Sequence, residues 1–312
     1  MARKRKGRPI HGWLIIDKPL EVTSTQVVGR VRRALDAQKI GHGGTLDPLA
    51  TGVLPLALGE ATKTVSYAMD GRKTYRFQVR WGQATSTDDG EGEVIESSDL
   101  RPGQAEIEAA LPAFLGTIQQ IPPRFSAIKL QGERAYDLAR DNQDFELAAR
   151  SVEIYRFEHC APEGESDDKD HSWFEIDCGK GTYVRSLARD LARNLGTFGH
   201  VSALRRLSVG PFHEEDAISL ESLEALGHSP AALELLLPVE TALDDIPALA
   251  LSETEAARLR SGQSVSMMAR SLSDQVRALN SGSIVFARTS DTPVALARYE
   301  AGEIHPVRVL NL

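Results

Sequence analysis

The stretch Gly41-His42-Gly43-Gly44-Thr45-Leu46-Asp47-Pro48-Leu49-Ala50-Thr51-Gly52 is the most informative part of this 312-residue sequence. It places one carboxylate, Asp47, directly before a proline and five residues after an imidazole, His42. An Asp-Pro pair disfavours helix and is typical of a turn. Glycines permit close approach of the backbone to another group, so we expect this loop to admit a large ligand. The same composition also suits an ordinary solvent-exposed turn, and the loop alone leaves both interpretations open.

Hydrophobic patterns on either side of this loop predict a mixed α/β fold. Residues 12–17 are typical of a short buried strand, and residues 74–81 alternate polar and apolar side chains, as in a half-buried strand. The apolar positions 184, 187, 188, 191 and 195 follow helical spacing and predict an amphipathic helix. We also expect an acidic loop at residues 88–101, a helix at residues 104–115 and a charged tip at residues 163–170.

The length of the chain predicts one large domain and one smaller domain. We place the boundary at Ile246-Pro247, which divides the chain into residues 1–246 and 247–312. Beyond the boundary, Ser252 and Glu255 form a capping-box pattern, and three short β-type runs follow at residues 283–288, 294–299 and 307–310. The sequence therefore predicts a small β-rich appendage. The polar residues 124–150 interrupt the apolar rhythm of the larger part and predict an inserted arm.

Charge is distributed unevenly along the chain. The net charge is -8, yet residues 1–80 hold 15 Lys+Arg against 6 Asp+Glu, a net of +9, which leaves -17 for the remainder. Within that acidic remainder, residues 180–206 hold six Lys+Arg against one acid, Asp190. If the two basic segments meet in space, they form a cationic face suited to phosphates. Two separate solvated helix faces would produce the same counts.

The motifs that the sequence lacks narrow the class of protein. No G-x-S-x-G elbow, Walker A sequence, G-x-G-x-x-G after a strand or H-E-x-x-H is present. Cys160 and Cys178 supply neither a disulfide framework nor a metal-ligand pattern, and no apolar run reaches the length of a membrane span. We therefore expect a cytoplasmic protein with no metal, no cofactor and no membrane contact. A hydrolase that uses Asp47 with His42 stays open, although no serine is placed to complete a triad.

Several motifs in order resemble one family. The loop quoted above, continued through Val53-Leu54, closely resembles the catalytic motif of the TruB-type tRNA pseudouridine synthases. The segments Lys73-Thr74-Tyr75, residues 120–129, residues 181–187 and Leu204-Arg205-Arg206 are similar to further motifs of the family in the same order. The resemblance covers residues 12 to about 245, and several ordered motifs are more specific than any single one. Three positions depart from the usual pattern: Gly43, Phe125 and Gly179.

The resemblance implies a fold, a reaction and a partner. The fold is α/β (α+β), a pseudouridine synthase fold with a large mixed, mainly antiparallel sheet and a central cleft, followed by a small C-terminal β-rich PUA-like RNA-binding domain at residues 247–312. The reaction is the isomerisation of uridine 55 in the tRNA T loop to pseudouridine, with no cofactor. The partner is the T arm of tRNA, which residues 124–150 would grip, and a monomer is the default expectation. A non-catalytic RNA-binding or folding factor on the same scaffold is the alternative.

The resemblance also assigns roles to individual residues. Asp47 is the expected nucleophile, and Arg185 is expected to hold it ionised within a closed pocket through a bidentate contact. The target base must be flipped out, and Tyr75 is expected to stack on it, with its hydroxyl a candidate for the proton at C5. A plain core aromatic stays open for Tyr75, as does a buried structural role for His42. Weaker assignments, as pocket walls or RNA contacts, are His42, Lys18, Tyr183, Leu204 and Lys129.

Overall fold

The computed structural model describes residues 6–312 except 131, 142, 161–167, 269–273 and 291. Most of the charged tip expected at residues 163–170 therefore lies outside the described residues. In the described part of the chain, no helix is both long enough and apolar enough to cross a membrane.

Nineteen strands occur in the described residues. In chain order they are β1 Gly12–Lys18, β2 Ile40–His42, β3 Ala50–Leu58, β4 Lys73–Trp81, β5 Gln83–Thr85, β6 Val94–Ser97, β7 Gly116–Gln120, β8 Lys129–Leu130, β9 Glu133–Arg134, β10 Arg150–Cys160, β11 His171–Cys178, β12 Gly199–Val209, β13 Phe212–His213, β14 Ile218–Ser219, β15 Ala248–Ala250, β16 Val265–Ser266, β17 Ile284–Arg288, β18 Pro293–Glu300 and β19 Glu303–Val309.

Nine α-helices and four 3₁₀-helices connect these strands in the described residues. The α-helices are α1 Ser24–Leu35, α2 Val65–Asp70, α3 Gln104–Ala110, α4 Ala135–Arg140, α5 Val184–Asn194, α6 Leu220–Leu226, α7 Pro230–Glu234, α8 Glu253–Arg260 and α9 Asp274–Arg277. The 3₁₀-helices are Gly59–Lys63, Leu111–Phe114, Glu214–Asp216 and Val239–Leu243.

Ten strands form one large sheet whose main order is β14-β1-β3-β12-β4-β11-β10-β7, with β2 beside β3 and β13 beside β12. The pairs β1–β14 and β3–β12 are parallel, and the other pairs are antiparallel. The predicted large, mainly antiparallel mixed sheet is thus confirmed. Because β12 lies between β3 and β4, it brings the two halves of the sheet together at the centre.

One face of the large sheet is covered by helices. The alternation of β4 places Tyr75 and Phe77 on this face, and the predicted amphipathic helix is α5, whose Leu187 and Leu191 pack there. The helix α1 covers the other half through Val27, Val31 and Leu35. It begins at a capping box in which Thr23 accepts from the Gln26 backbone N–H and the Gln26 side chain accepts in return.

The opposite face of the sheet packs against the C-terminal part of the chain. Strands β15 to β19 form a separate five-stranded sheet that begins at Ala248. Phe286 and Leu296 of this second sheet share a buried cluster with Trp13 and Ile15 of β1. The expected β-rich C-terminal region is confirmed, and the domain boundary at residue 246 stays a prediction.

One prediction needs correction. Residues 88–101 are not entirely loop, because β6 lies within them and pairs with β5. The segment predicted as an inserted arm, residues 124–150, holds the hairpin β8–β9 and the helix α4.

Gly52 shows why the opening motif contains glycine. It has a φ of +96°, and a Cβ at this position would lie 2.2 Å from the carbonyl oxygen of Arg206 on the neighbouring strand β12. A Cβ at Gly41 would have nothing within 4 Å. The close approach that we expected for a ligand is therefore made at Gly52 by the protein's own central strand.

We expect Gly52→Ala to lower the free energy of unfolding by at least about 2 kcal/mol, because it combines a strained φ with a backbone clash. Gly41→Ala is the matched control from the same motif and is expected to leave stability nearly unchanged. Urea unfolding followed by tryptophan fluorescence measures both. Equal stability of the two variants would show that the β3–β12 contact tolerates a side chain.

Candidate active site

The loop between β2 and β3 is held on both sides of Asp47. The Ser24 hydroxyl, at the start of α1, accepts from the Leu46 backbone N–H at 2.9 Å and donates to the Leu46 carbonyl at 3.0 Å. The Lys18 ammonium donates to the Pro48 carbonyl at 3.2 Å. The main chain before and after Asp47 is therefore anchored to two different elements, β1 and α1.

Lys18 supports this loop from inside the protein. It is fully buried, and its ammonium also donates to the carbonyls of Pro19 at 2.9 Å and Val22 at 2.6 Å. Burial lowers the pKa of Lys18 to about 8, and the nearby charge of Asp47 opposes that shift. Since main-chain oxygens accept from its ammonium, Lys18 supports the loop, and its assignment as an RNA contact stays a prediction.

An ion pair joins the loop to the other half of the sheet. Arg185, in the first turn of α5, places Nη2 at 2.8 Å from Oδ2 of Asp47. The Arg185 side chain is 6% exposed, whereas that of Asp47 is 41% exposed. The ion pair agrees with the expectation, whereas the exposure of Asp47 does not fit the expected closed pocket, and the bidentate contact stays a prediction. The carboxylate is the more exposed partner of the pair.

The remaining donors of Arg185 are held by the loop after β5 and by the inserted arm. Nη1 lies 3.3 Å from Oδ2 of Asp89 and donates to the Thr87 carbonyl at 3.0 Å. Nη2 also donates to the Phe125 carbonyl at 3.0 Å. Asp89 is itself buried and accepts from the Glu91 backbone N–H at 3.0 Å. This network fixes the position of the Arg185 guanidinium beside Asp47.

The start of α5 is positioned by Gln120, at the end of β7. Its side-chain amide accepts from the Tyr183 backbone N–H at 2.8 Å and donates to the Tyr183 carbonyl at 3.1 Å. Tyr183 directly precedes the helix, and the charges of Arg185 and Asp47 are both close enough to act on the pKa of its phenol. Burial raises the pKa of the Tyr183 phenol. Tyr183 therefore lies near the ion pair, and its role as a pocket wall or RNA contact stays a prediction.

Tyr75 and Leu204 lie on the helix-covered face, on adjacent strands. Tyr75 belongs to β4 and is 8% exposed, and burial raises the pKa of its phenol. Leu204 is directly opposite Ala50 of β3, and so lies close in register to the loop of Asp47. Asp47 and Tyr75 are near enough to interact electrostatically. The two expected pocket walls are therefore on the same face of the sheet as the ion pair.

His42 and Lys129 are the two remaining residues that the resemblance assigns to the site. Burial lowers the pKa of the His42 imidazole, and its buried Nδ1 atom has no hydrogen-bond partner in the described part of the chain. Lys129 is exposed on the hairpin β8–β9, away from the sheet. Phe125, near the base of the same arm, is the residue that contacts the site, through Arg185.

Several basic side chains of the segment 180–206 form ion pairs with carboxylates. Arg189 binds Asp88 and Asp190, each at 2.9 Å, and Lys180 binds Asp70 at 3.0 Å. In the described residues, this segment therefore does not form a continuous cationic face.

A cavity of about 540 Å³ lies next to the site. Leu49 and Leu204 contribute to its wall, together with Arg76, Trp173 and Arg205 of the sheet. Successive residues of a strand point to opposite faces, so Arg76 lies on the other face of β4 from Tyr75 and Phe77. The cavity therefore opens mainly on the face opposite the ion pair.

Comparisons with known proteins agree with this geometry. A family model described as TruB family pseudouridylate synthase (N terminal domain) matches residues 32–184, and one described as tRNA pseudouridylate synthase B C-terminal domain matches residues 185–244. The tRNA pseudouridine synthase B of Caulobacter vibrioides is 53% identical over 100% of both chains. The protein of the same name from Rhodospirillum rubrum is 54% identical over 100% of both chains. This chain belongs to the TruB family of pseudouridine synthases.

Solved structures support the same fold for this TruB family member. A chain in the crystal structure of a Cbf5–Nop10–Gar1 complex superimposes with a TM-score of 0.73 at 25% identity, covering 96% of this chain and 85% of that one. A chain in a structure of an H/ACA RNP bound to a substrate RNA containing 2′-deoxyuridine superimposes with a TM-score of 0.72 at 23% identity, covering 100% and 92%. The expected family and fold are confirmed.

The lowered pKa of Lys18 predicts a pH dependence of stability. Between pH 8 and 10.5 the unfolded chain keeps a proton that folded Lys18 has lost, so this residue's contribution to stability rises with pH. Relative to Lys18→Met, the wild-type free energy of unfolding is expected to gain about 1 kcal/mol per pH unit in this window.

Lys180→Met is the matched control, because Lys180 is exposed on the surface. Its difference from wild type is expected to stay constant with pH in urea unfolding between pH 7 and 10. A flat difference for Lys18→Met as well would contradict the effect of burial on this lysine.

Proposed function

We propose that this TruB family member isomerises uridine 55 in the T loop of tRNA to pseudouridine, with Asp47 as the nucleophile. The observation that carries the proposal is the 2.8 Å ion pair between Asp47 and Arg185, which holds an exposed carboxylate at the edge of the site. Membership of the TruB family supplies the reaction class, and the relatives' name supplies tRNA as the substrate class.

The proposed reaction breaks the bond between N1 of uracil and C1′ of the ribose and forms a bond between C5 and C1′. The proton on C5 must leave, and N1 must gain a proton. This isomerisation consumes no second substrate, so side chains alone can serve it. Asp47 can add to C1′ or to C6 of the base, or stabilise positive charge on the sugar, and the proposal includes each of these routes.

Arg185 prepares Asp47 for this role. Its guanidinium is buried and already bound to Asp89 and two main-chain carbonyls, so it has little freedom to move when RNA arrives. Its Nη2 contacts Oδ2 of Asp47, and we propose that this partly exposed carboxylate meets the incoming nucleotide. A fixed cation beside the carboxylate holds it in one orientation.

The target uridine must leave the stack of the T loop to reach Asp47. We propose that the flipped base enters between Tyr75 and Leu204, which lie on the same face of the sheet. An aromatic ring on one side and an aliphatic side chain on the other suit a planar uracil. In this arrangement Tyr75 stacks on the base and its hydroxyl is a candidate for moving the C5 proton.

The rest of the chain is proposed to hold the tRNA. The arm at residues 124–150, with Lys129 exposed on its hairpin, is proposed to grip the T arm. His42 is proposed to pack against the T loop, and the C-terminal sheet, proposed as a PUA-like domain from residue 247, to contact another part of the tRNA. A monomer suffices for this arrangement, and its substrate places the activity in the cytoplasm.

Two alternatives predict different chemistry. A non-catalytic RNA-binding factor does not need the anchored loop and the ion pair around Asp47. A hydrolase would need Asp47 to act with His42, but Asp47 pairs with Arg185 and the Nδ1 atom of His42 has no partner in the described residues. Release of tritium from C5 of labelled tRNA without release of free uracil distinguishes isomerisation from both.

We expect Asp47→Asn to abolish tritium release from tRNA labelled at C5 of uridine, because an amide is a poor nucleophile and lacks the charge. Binding of tRNA, measured by filter retention, is expected to persist. Asp36→Asn is the matched control, since Asp36 is an exposed residue at the end of α1 with a left-handed backbone that asparagine tolerates.

Two outcomes would contradict the proposal. Turnover of Asp47→Asn near the wild-type rate would remove Asp47 as nucleophile. Equal tritium release from a tRNA that carries cytidine at position 55 would show that the enzyme acts at another uridine. Loss of activity in Asp36→Asn as well would indicate a general effect of acid-to-amide changes.

Tyr75→Phe separates stacking from proton transfer. If the hydroxyl moves the C5 proton, we expect the single-turnover rate to fall by about 100-fold with little change in tRNA affinity. Tyr67→Phe is a matched control, because Tyr67 belongs to α2 and packs in the separate cluster on the opposite face of the sheet. A normal rate for Tyr75→Phe would leave only the stacking role.

A further inference from the structure

Arg206 is the most buried arginine near the site, and it lies on the central strand β12. Its side chain is almost completely inaccessible, with the residue 1% exposed. Nε donates to the Val53 carbonyl at 2.8 Å, Nη2 to the Gly44 carbonyl at 3.2 Å and Nη1 to the Thr45 carbonyl at 3.5 Å. In the described part of the chain no carboxylate lies within 4.0 Å of it, so its hydrogen bonds to main-chain oxygens compensate for its burial.

These bonds place Arg206 directly on the loop that carries Asp47. Gly44 and Thr45, whose carbonyls accept from Arg206, precede Asp47 by three and two residues. Ser24 and Lys18 hold the residues immediately around Asp47, so Arg206 completes the support on the N-terminal side. A planar group with donors on several edges can hold several carbonyls at once, which a lysine cannot do in the same geometry.

Arg206 also lies beside Tyr75. The two residues are directly opposite each other in the β12–β4 register, and the charge of Arg206 acts on the Tyr75 phenol. Burial raises the pKa of Tyr75, and the charge of Arg206 opposes that rise. The same charge, together with burial, lowers the pKa of His42. A single buried cation therefore reaches the nucleophile's loop and the aromatic residue that faces the base.

We propose that Arg206 is a positioning residue that links the Asp47 loop to the Tyr75 hydroxyl, so that the two keep one mutual geometry when the base enters. Because Arg206 is only 1% exposed, it acts in this proposal through the groups it supports and not on the substrate itself. The inference rests on the proposed pseudouridine synthase reaction and adds to it the residue that sets the relative position of two of its groups.

The neighbouring Arg205 provides a matched control. It belongs to the same strand but to the opposite face, where it binds Asp17 at 2.9 Å and Glu214 at 3.2 Å. Arg206→Met and Arg205→Met therefore remove the same charge from adjacent positions of one strand. Only Arg206→Met removes a contact with the Asp47 loop.

Single-turnover tritium release and tRNA affinity are measured for both variants. We expect Arg206→Met to slow the single-turnover rate by about 100-fold, as a shift of about 1 Å in a reacting group can do, while tRNA affinity is retained. Arg206→Lys keeps the charge without the planar donors and is expected to lose less. Arg205→Met is expected to keep the wild-type rate.

A second measurement follows the surroundings of the Tyr75 ring and does not depend on enzymatic activity. All six tyrosines are replaced by 3-fluorotyrosine, and the Tyr75 signal is identified by its loss in Tyr75→Phe. Arg206→Met is expected to move the fluorine resonance of Tyr75 and to leave the other five in place. Arg206→Lys, which is the milder change, serves the same purpose if Arg206→Met does not fold.

The outcomes are decisive for the inference. Wild-type turnover in Arg206→Met, or an unchanged Tyr75 resonance, would overturn it. A uniform shift of all tyrosine resonances in both Arg206 variants would show a general structural role and would also overturn it. An inactive wild-type protein with the expected Tyr75 shift would instead reject the proposed function and leave the link between Arg206 and Tyr75 intact.

Discussion

The ion pair between Asp47 and Arg185 is the interaction on which the site depends. It joins a loop fixed to β1 and α1 with a helix that covers the other half of the sheet. The arginine is the buried partner and the carboxylate the exposed one, so the charge that is proposed to act on the substrate is partly accessible. An ion pair arranged in this way costs less desolvation than one buried completely.

Buried groups that support both partners of this pair give it a defined geometry. Asp89 fixes Arg185 from behind, and Gln120 fixes the backbone at the start of its helix. Lys18 and Arg206 bind main-chain carbonyls of the Asp47 loop from below. Each supporting group is buried and bound to two or more partners, so little conformational freedom remains to be lost when a substrate binds. Such preorganisation suits chemistry performed by side chains alone.

The two faces of the large sheet have different roles, since one holds the candidate site and the other packs against the C-terminal sheet. The helix-covered face holds the ion pair, Tyr75 and Leu204, and the other face packs against the C-terminal sheet through a cluster that includes Trp13 and Phe286. The period-two alternation of strands allows this division, because adjacent residues such as Arg205 and Arg206 point to opposite faces. One strand can thus stabilise an exposed ion-pair network and a buried active-site support at the same time.

Local patterns in the sequence determined the main elements of this protein. The alternation of β4, the apolar stripe of α5 and the loop of Asp47 follow from periods of 2 and 3.6 residues and from an Asp-Pro pair, and family motifs led to Arg185 and Tyr75. The same motifs led to the pairing of Arg185 with Asp47, whereas only the tertiary structure showed that Arg185 also meets Asp89 and that Arg206 supports the loop. Asp89 appeared only as one acid in an acidic loop, and Arg206 only as one of two adjacent arginines. Their roles arise because β12 lies between β3 and β4, and strand order in a sheet leaves no periodic signal in the sequence.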